Sequence, residues 1–460
     1  IDPLLFFIST LFIVGMSLLL LRVYPFLVRL FFKVGEKFWH PVAYFSLVNV
    51  GKADKNLQAI MLFLILSISF GLVNANQART INMNTADRVA YQQGSDVVIE
   101  PYNNLKHIGT PPPGMEVVMA EIPYMEPPFH QYKELEGVEK ITKVYHEKEV
   151  RMNGAGGRIL GAQVYGITTN EFGEVAWFRE DILNHHLNEY LNLIAGAPKA
   201  VLLSSNIRDE FGIEVGDTVS VTMEELGTLE CTVYAFIEFF PSYMPYDTDG
   251  RKNYFAVVNA AYIEDQLPLH PYEIWIKKDA GVSDAQINQS LIDQGLQVES
   301  IRFMNQEMVR KKNDPMLLGT NGSLTMSFII EMLITAIGFI LFWVLSIRER
   351  SLKFGIFRAI GMPMRDVGLI MLLEQLLVSG VAIAMGFLLG GISSKLFIPL
   401  LEVVYSSSQQ VPKFKVIANQ EDYMKVLWVT IFMVMSCLIV LHRQIRQSNV
   451  NQVIKLGEDS

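Results

Sequence analysis

The sequence predicts a membrane protein: five transmembrane α-helices, with a large extracytoplasmic mixed α/β domain inserted between spans 2 and 3. Three observations predict it. The 460 residues are 50% hydrophobic with a mean hydropathy of +0.27. Five apolar runs, about residues 4–21, 57–78, 326–347, 367–392 and 427–441, approach the roughly 20 residues that cross a hydrocarbon core about 30 Å thick. The polar stretch 79–324 holds 20 Lys/Arg against 35 Asp/Glu, a net −15, whereas the whole chain carries −9. The remainder is therefore +6, and the two parts are expected to face different solvents.

The basic residues set the expected orientation. They cluster after span 1 (Arg22, Arg29, Lys33, Lys37, Lys52, Lys55), between spans 3 and 4 (Arg348, Arg350, Lys353, Arg358, Arg365) and in the tail (His442, Arg443, Arg446, Lys455). If five spans alternate, all three groups fall on one side, which the positive-inside rule makes the cytoplasm. Residues about 79–325 are then extracytoplasmic, the C-terminus is cytoplasmic and the protein is multi-pass in the plasma membrane. Tyr423 and Trp428 suit interface anchors at the outer end of span 5. Ile1-Asp2-Pro3 has neither a basic n-region nor a cleavage site, and span 1 starts on the outer side. The expectation is a fragment lacking an N-terminal part.

Taken in order, residues 1–23 form a linker span. In 24–56, Phe26, Leu27, Leu30, Phe31 and Val34 recur at helical spacing among Arg29, Lys33 and Lys37, the pattern of a helix lying in the membrane interface. The plain alternative is a cytoplasmic loop with scattered apolar residues. Residues 57–93 run past the membrane without Pro or Gly from 74 to Gly94. As a helix they reach about 55 Å at 1.5 Å per residue, so their outer part is expected to stand as a stalk. A second stalk with span 3, residues 303–347, is expected to be interrupted near Pro315 and Gly319. Residues 367–445 hold spans 4 and 5 with a short outer loop, and 446–460 form the cytoplasmic tail.

The domain 94–302 reads as mixed α/β. "DVVIEP", "EVVMAEI", "KITKVYHEKEVRM", "GRILGAQVYGIT", "KAVLLSSNI", "DTVSVTM", "ECTVYAFI", "YFAVVNAAYI" and "YEIWIKK" are strand-like, several with the period-2 alternation of half-buried strands. "NGAGGR" (153–158) predicts a hairpin tip. "EDILNHHLNEYL" and "SDAQINQSLIDQGL" have helical spacing, the latter with Ser283 as N-cap. Of the two cysteines, Cys231 lies in this domain and Cys437 in span 5. With no intradomain disulfide to draw on, the domain must fold on its own core.

Between spans 3 and 4, residues 348–366 read "RERSLKFGIFRAIGMPMRD". The cations fix the stretch at the headgroups, and Ile356, Phe357 and Ile360 supply an apolar face. Gly355 and Gly361 permit a turn or close backbone approach, and Pro363 restarts the next helix. Glu349 and Lys353 stand at i, i+4 in the favoured orientation. A positive-inside loop accounts for the charge but not for the Gly–apolar–Arg spacing, which suits a coupling element made of Arg348, Glu349, Arg350, Gly355, Ile356, Arg358, Ala359 and Gly361.

Three stretches carry a family resemblance. They are "RERSLKFGIFRAIGMPMRDVGLIMLLEQLLVSGVAIAMGFLLGG", "LLSSNIRDEFGIEVGDTVSVT" and the tail "NVNQVIKLGEDS". Over about residues 40–460 the chain resembles the FtsX-like, MacB-type permeases of ABC transporters, although its Arg-Glu-Arg opening departs from the family's Arg-x-Glu. The resemblance implies the second four-span unit plus linker span of a larger two-unit permease. It further implies a non-catalytic subunit with a cytoplasmic ABC ATPase, as a homodimer, for its motor. The sequence has no G-x-x-x-x-G-K-[ST] loop, so ATP and Mg are expected in that partner and no cofactor in this chain. The load is expected to be an amphiphile: a lipid, lipoprotein or antimicrobial peptide. The alternative is a mechanotransmitting regulator that activates an extracytoplasmic hydrolase or sensor. Partners are then the ATPase, a second permease unit, membrane lipid and an extracytoplasmic protein.

Glu331 and Glu374 fall inside spans, where charge is costly and often functional; helix packing or water contact competes with a proton or substrate role. Gly380, Gly386 and Gly390 have the small-residue spacing of close helix packing. His185 and His186 lie among acids, but adjacent helical residues point apart, which disfavours a metal site. The acidic domain argues against nucleic acid.

Overall fold

The computed structural model describes residues 4–35, 40–51, 55–107, 124–224, 226–247, 249–359, 361–400 and 411–447. In chain order the elements begin α1 (Leu4–Gly35), α2 (Pro41–Gly51), α3 (Lys55–Gln93), β1 (Val97–Pro101), α4 (Phe129–Lys133), β2 (Val138–Gly154) and β3 (Gly157–Ile167). Then come α5 (Thr169–Val175), α6 (Leu187–Ala195), β4 (Ala200–Ser204), α7 (Ser205–Phe211), β5 (Thr218–Met223), β6 (Gly227–Ile237) and β7 (Tyr254–Asn259). The order ends α8 (Ala260–Gln266), β8 (Glu273–Lys278), α9 (Asp284–Asp293), β9 (Val298–Phe303), α10 (Met304–Lys312), α11 (Pro315–Ala359), α12 (Met364–Phe397) and α13 (Gln420–Gln447). Two units result: a helical unit of Ile1–Met83, Pro315–Ser407 and Phe414–Ser460, and a sheet unit of Asn84–Asp314 with Ser408–Lys413.

Among the described residues, five helices are long and apolar enough to cross a membrane: Ile8–Val34, Gln58–Gln93, Pro315–Leu341, Gly368–Leu400 and Gln420–Ile439. Two boundaries differ from the sequence reading. The linker span does not stop near residue 23. Helix α1 runs to Gly35 with Pro25 inside it, forgoing one backbone hydrogen bond. The separate helix of segment 24–56 is the short apolar α2, whose last carbonyl, of Gly51, accepts from Arg29 Nε at 3.3 Å.

The expected interruption near Pro315 is present, whereas none occurs at Gly319. The break falls at Asn313–Asp314, and Pro315 opens α11, where its missing N–H costs nothing. Gly319 and Gly322 stay helical, because a helix of this length absorbs about 1 kcal/mol per glycine. Thr320 and Thr325 each donate to the carbonyl four residues back, at 2.9 and 2.8 Å.

In the sheet unit nine strands run in the order β3-β7-β4-β6-β5-β2-β8-β1-β9. The 17-residue β2 makes this possible. Its first half pairs with β8, its end with β5, and β3 returns along it from the 153–158 hairpin. Because β3 also pairs with β2, the strands β3, β7, β4, β6, β5 and β2 close into a ring, and β8, β1 and β9 extend from it. Alternate residues point inward: Val219, Val221 and Met223 on β5, Leu229, Cys231 and Val233 on β6, Val201 and Leu203 on β4. A second core, with Phe172, Phe240, Phe255, Val257 and Trp275, packs α5 and α6 on the other face.

Several local assignments shift. "EVVMAEI" (116–122) lies outside the described residues. "KAVLLSSNI" and "YFAVVNAAYI" each hold a strand followed directly by a helix, β4–α7 and β7–α8. "EDILNHHLNEYL" becomes helical only at Leu187, because His186 is extended and its ring accepts from the Asn188 N–H at 3.2 Å as the N-cap. Ser283 caps α9 in a full capping box with Gln286.

Candidate functional site

The turn from α11 to α12 contains the candidate coupling element. The α11 backbone stays helical through Ala359, so residues 348–359 prolong the span helix where the sequence suggested an element of its own. Gly361 then adopts φ +94, a conformation open to glycine, and Pro363 stands as the extended N-cap of α12. The Asp366 N–H closes that turn onto the Pro363 carbonyl at 2.9 Å. Asp366 sits in the first turn of α12, where its charge complements the helix dipole. The side chains of Arg348, Glu349, Arg350, Ile356, Arg358 and Ala359, and the contacts of Gly355, lie outside the described residues.

From that turn α12 runs parallel to α3. A methyl group built on Gly386 would meet Ile68 Cβ at 2.8 Å and the Ile65 carbonyl oxygen at 3.3 Å; one on Gly390 would meet Leu72 Cβ and Ser69 Cα at 3.1 Å. The backbones approach because neither position has a Cβ. Across this seam Ser69 Oγ donates to the Gly386 carbonyl at 3.0 Å and Asn76 Nδ2 to Ser394 Oγ at 2.9 Å. Gly380 differs: it is exposed, and a Cβ there meets nothing within 4 Å, so it is not part of the seam.

A polar clasp joins α3 to the start of α13. Arg79 makes two hydrogen bonds to the Asp422 carboxylate and lies 3.7 Å from Glu421. Thr80 Oγ1 accepts from the Ile417 N–H at 3.1 Å and donates to its carbonyl at 3.2 Å. None of these residues stood out in the sequence. Opposite charges at the ends of two apolar runs, Arg79 after the second and Asp422 before the fifth, were the available signal.

The intramembrane acids are separate. Glu374 on α12 is 1% exposed. Glu331 on α11 is half-buried, and its Oε2 has no hydrogen-bond partner among the described residues.

In the sheet unit, the Glu273 side chain, 13% exposed, is held by several contacts. It accepts from Trp275 Nε1 at 2.8 Å and Arg302 Nη2 at 3.0 Å, with His146 Nδ1 3.6 Å away. Burial alone raises its pKa, but the contacts with His146, Trp275 and Arg302 outweigh that and hold it down to about 2. Arg179 bridges Asp87, Asp181 and the Lys413 carbonyl at 2.6–2.7 Å. His185 meets Glu189 at 3.6 Å in an exposed pair. Among the described residues no group of three or more His, Cys, Asp or Glu is placed to hold a metal ion.

Residues 325–449, about a quarter of the chain, match the family FtsX-like permease C-terminal. They take in α12, most of α11 and α13, and the candidate coupling turn. No curated protein matches the sequence. Among solved structures, the periplasmic region of MacB from Actinobacillus actinomycetemcomitans is similar at 10% identity and TM-score 0.29, over 48% of this chain and 94% of that one. The extracellular domain of the ABC-type transporter YknZ from Gram-positive bacteria is similar at 12% identity and TM-score 0.28, over 46% of this chain and all of that one.

Proposed function

We propose that this chain, whose residues 325–449 match the FtsX-like permease C-terminal family, is the permease subunit of an ABC transporter and works as a mechanical transmitter. That match carries the reading. A separate ATPase, which binds ATP and Mg, docks on the end of α11 and the turn that follows, through Arg348, Glu349, Arg350, Gly355, Ile356, Arg358, Ala359 and Gly361. Nucleotide binding moves that turn, and α3 and α11 act as levers on the sheet unit. The buried polar side chains Ser69 and Asn76 are engaged in helix-to-helix hydrogen bonds, which suits helices that transmit force better than helices that line a pore. The load is an amphiphile handled at the outer surface, and the unit works beside a second permease unit.

The test is the full chain co-expressed with its ATPase. Arg358→Glu or Gly355→Phe is expected to insert normally and to lose amphiphile-stimulated ATP hydrolysis. Unaltered stimulation in both variants would overturn the docking role.

A further inference from the structure

Glu331 falls five residues into the apolar run 326–347 of α11, about 8 Å along the helix axis. Charge at that depth is costly unless a partner neutralises it, and such residues are commonly functional. Glu331 Oε2 is enclosed and accepts no hydrogen bond among the described residues. The other intramembrane acid differs: Glu374 is 1% exposed and closed off from any ligand.

The helical register places Glu331 on a shoulder of α11. Phe328 and Met332 face α3, Phe328 standing against Gly71 and Met332 Sδ lying 3.8 Å from Ser67 Oγ. Ile330, Leu333, Ile334 and Ile337 form an apolar stripe, each about half exposed. At about 3.6 residues per turn, Glu331 lies between Ile334 of that stripe and the buried Thr335. Because Glu331 is itself only half-buried, a molecule lying along the stripe reaches its carboxyl.

An apolar track beside an unsatisfied carboxylate complements a hydrocarbon chain with a cationic head group. An ammonium or guanidinium supplies the donor and the countercharge that Oε2 lacks, and the chain covers the stripe. A phosphate or sulfate would meet like charge. The net −15 of residues 79–324 acts in the same direction, because it raises the local concentration of cations.

We infer that Glu331 is the head-group site for a cationic amphiphile lying against α11. The site gives the load of the proposed function its chemical class and rests on the amphiphile reading.

The test is binding to the full chain in phosphatidylcholine nanodiscs at neutral pH, without an ATPase. The ligands are fluorescent alkyl probes of one chain length with ammonium, phosphocholine or sulfate head groups. The wild type is expected to prefer the ammonium probe. Glu331→Gln, which keeps the size of the side chain, is expected to weaken that probe by about tenfold and to leave the phosphocholine probe unchanged. Glu421→Gln removes an acid whose side chain is 70% exposed at the start of α13 and is expected to alter neither. The site is overturned if the wild type shows no preference for ammonium, or if Glu331→Gln binds that probe as the wild type does. It is equally overturned if Glu331→Gln weakens every probe alike, or if Glu421→Gln matches its effect. A carboxyl that is protonated and merely packs gives unchanged binding in Glu331→Gln. A preference for phosphocholine or sulfate would remove this site and leave the amphiphile reading intact. Binding at Glu331 that fails to stimulate a co-expressed ATPase would sink the transporter reading and leave the site standing.

Discussion

Arg79 donates to both carboxylate oxygens of Asp422, from Nε to Oδ2 and from Nη2 to Oδ1 at 2.8 Å, across 343 positions of sequence. The Asp422 side chain is only 12% exposed, so the pair is desolvated enough for geometry to matter, and the guanidinium fork fits a carboxylate bidentately. Arg79→Ala leaves Asp422 with Lys425 at 3.8 Å, a poorer partner. The expected loss is about 2 kcal/mol. In a double-mutant cycle with Asp422→Ala, the coupling energy is expected to be about 1–2 kcal/mol. Thermal unfolding of the four species in detergent measures it, and additive losses would mean that the ion pair contributes nothing.

The α3–α12 seam makes a sharper prediction because it contains its own control. Gly386→Ala forces a methyl group to 2.8 Å from Ile68 Cβ, and overpacking of this kind costs about 1–3 kcal/mol. Gly380→Ala on the same helix meets open space and is expected to be neutral or slightly stabilising through helix propensity. Melting temperatures of the two variants should therefore move apart; equal shifts would remove the close approach.

The two glycines also show what the sequence could and could not disclose. The sequence reading grouped Gly380 with Gly386 and Gly390, but only the last two stand at i, i+4, and Gly380, six residues earlier, falls on another face. The i, i+4 rule says which residues share a face, and only the partner helix shows which face it meets. The apolar runs, the 153–158 hairpin and the Ser283 cap were legible because each is written in a few adjacent residues. Closure of the ring through β3 and β2 was not, since it joins strands whose pairing depends on long-range register. The Arg79–Asp422 clasp lay between these cases: both charges were visible, but only the packing of α13 on α3 made them partners. At the turn between α11 and α12, the sequence marked Gly361 and Pro363, and the backbone there carries a left-handed residue and a helix cap.

Glu273 predicts an acid limit for the sheet unit. Its folded-state pKa, about 2, lies below the ordinary value of 4.5. A depressed carboxylate contributes stability that is fully present above about pH 4.5 and is lost as pH falls through about 2. The full effect of this group is about 3 kcal/mol. Glu273→Gln is expected to be less stable at neutral pH and to flatten the decline between pH 4.5 and 2, read from amide exchange in β8 and β2. An unchanged pH profile in the variant would show that His146, Trp275 and Arg302 do not hold the carboxylate ionised.

The last prediction concerns the turn that joins α11 to α12. Gly361 sits at φ +94, where a β-branched residue is strained by about 1–2 kcal/mol. Gly361→Val can relieve that strain only by turning the backbone, which re-aims the end of α11 relative to Pro363 and the first turn of α12. The cost is local, so membrane insertion and the α3–α12 seam are expected to survive, and the melting temperature should fall by a few degrees at most. If an ATPase docks here, the same variant is expected to bind it more weakly and to lose most of its stimulated ATP hydrolysis. Met362→Ala, which leaves the backbone conformation alone, is expected to retain both. Co-purification and ATPase assays on the two variants decide the matter: full stimulation by Gly361→Val would mean that the geometry of this turn is irrelevant to the motor.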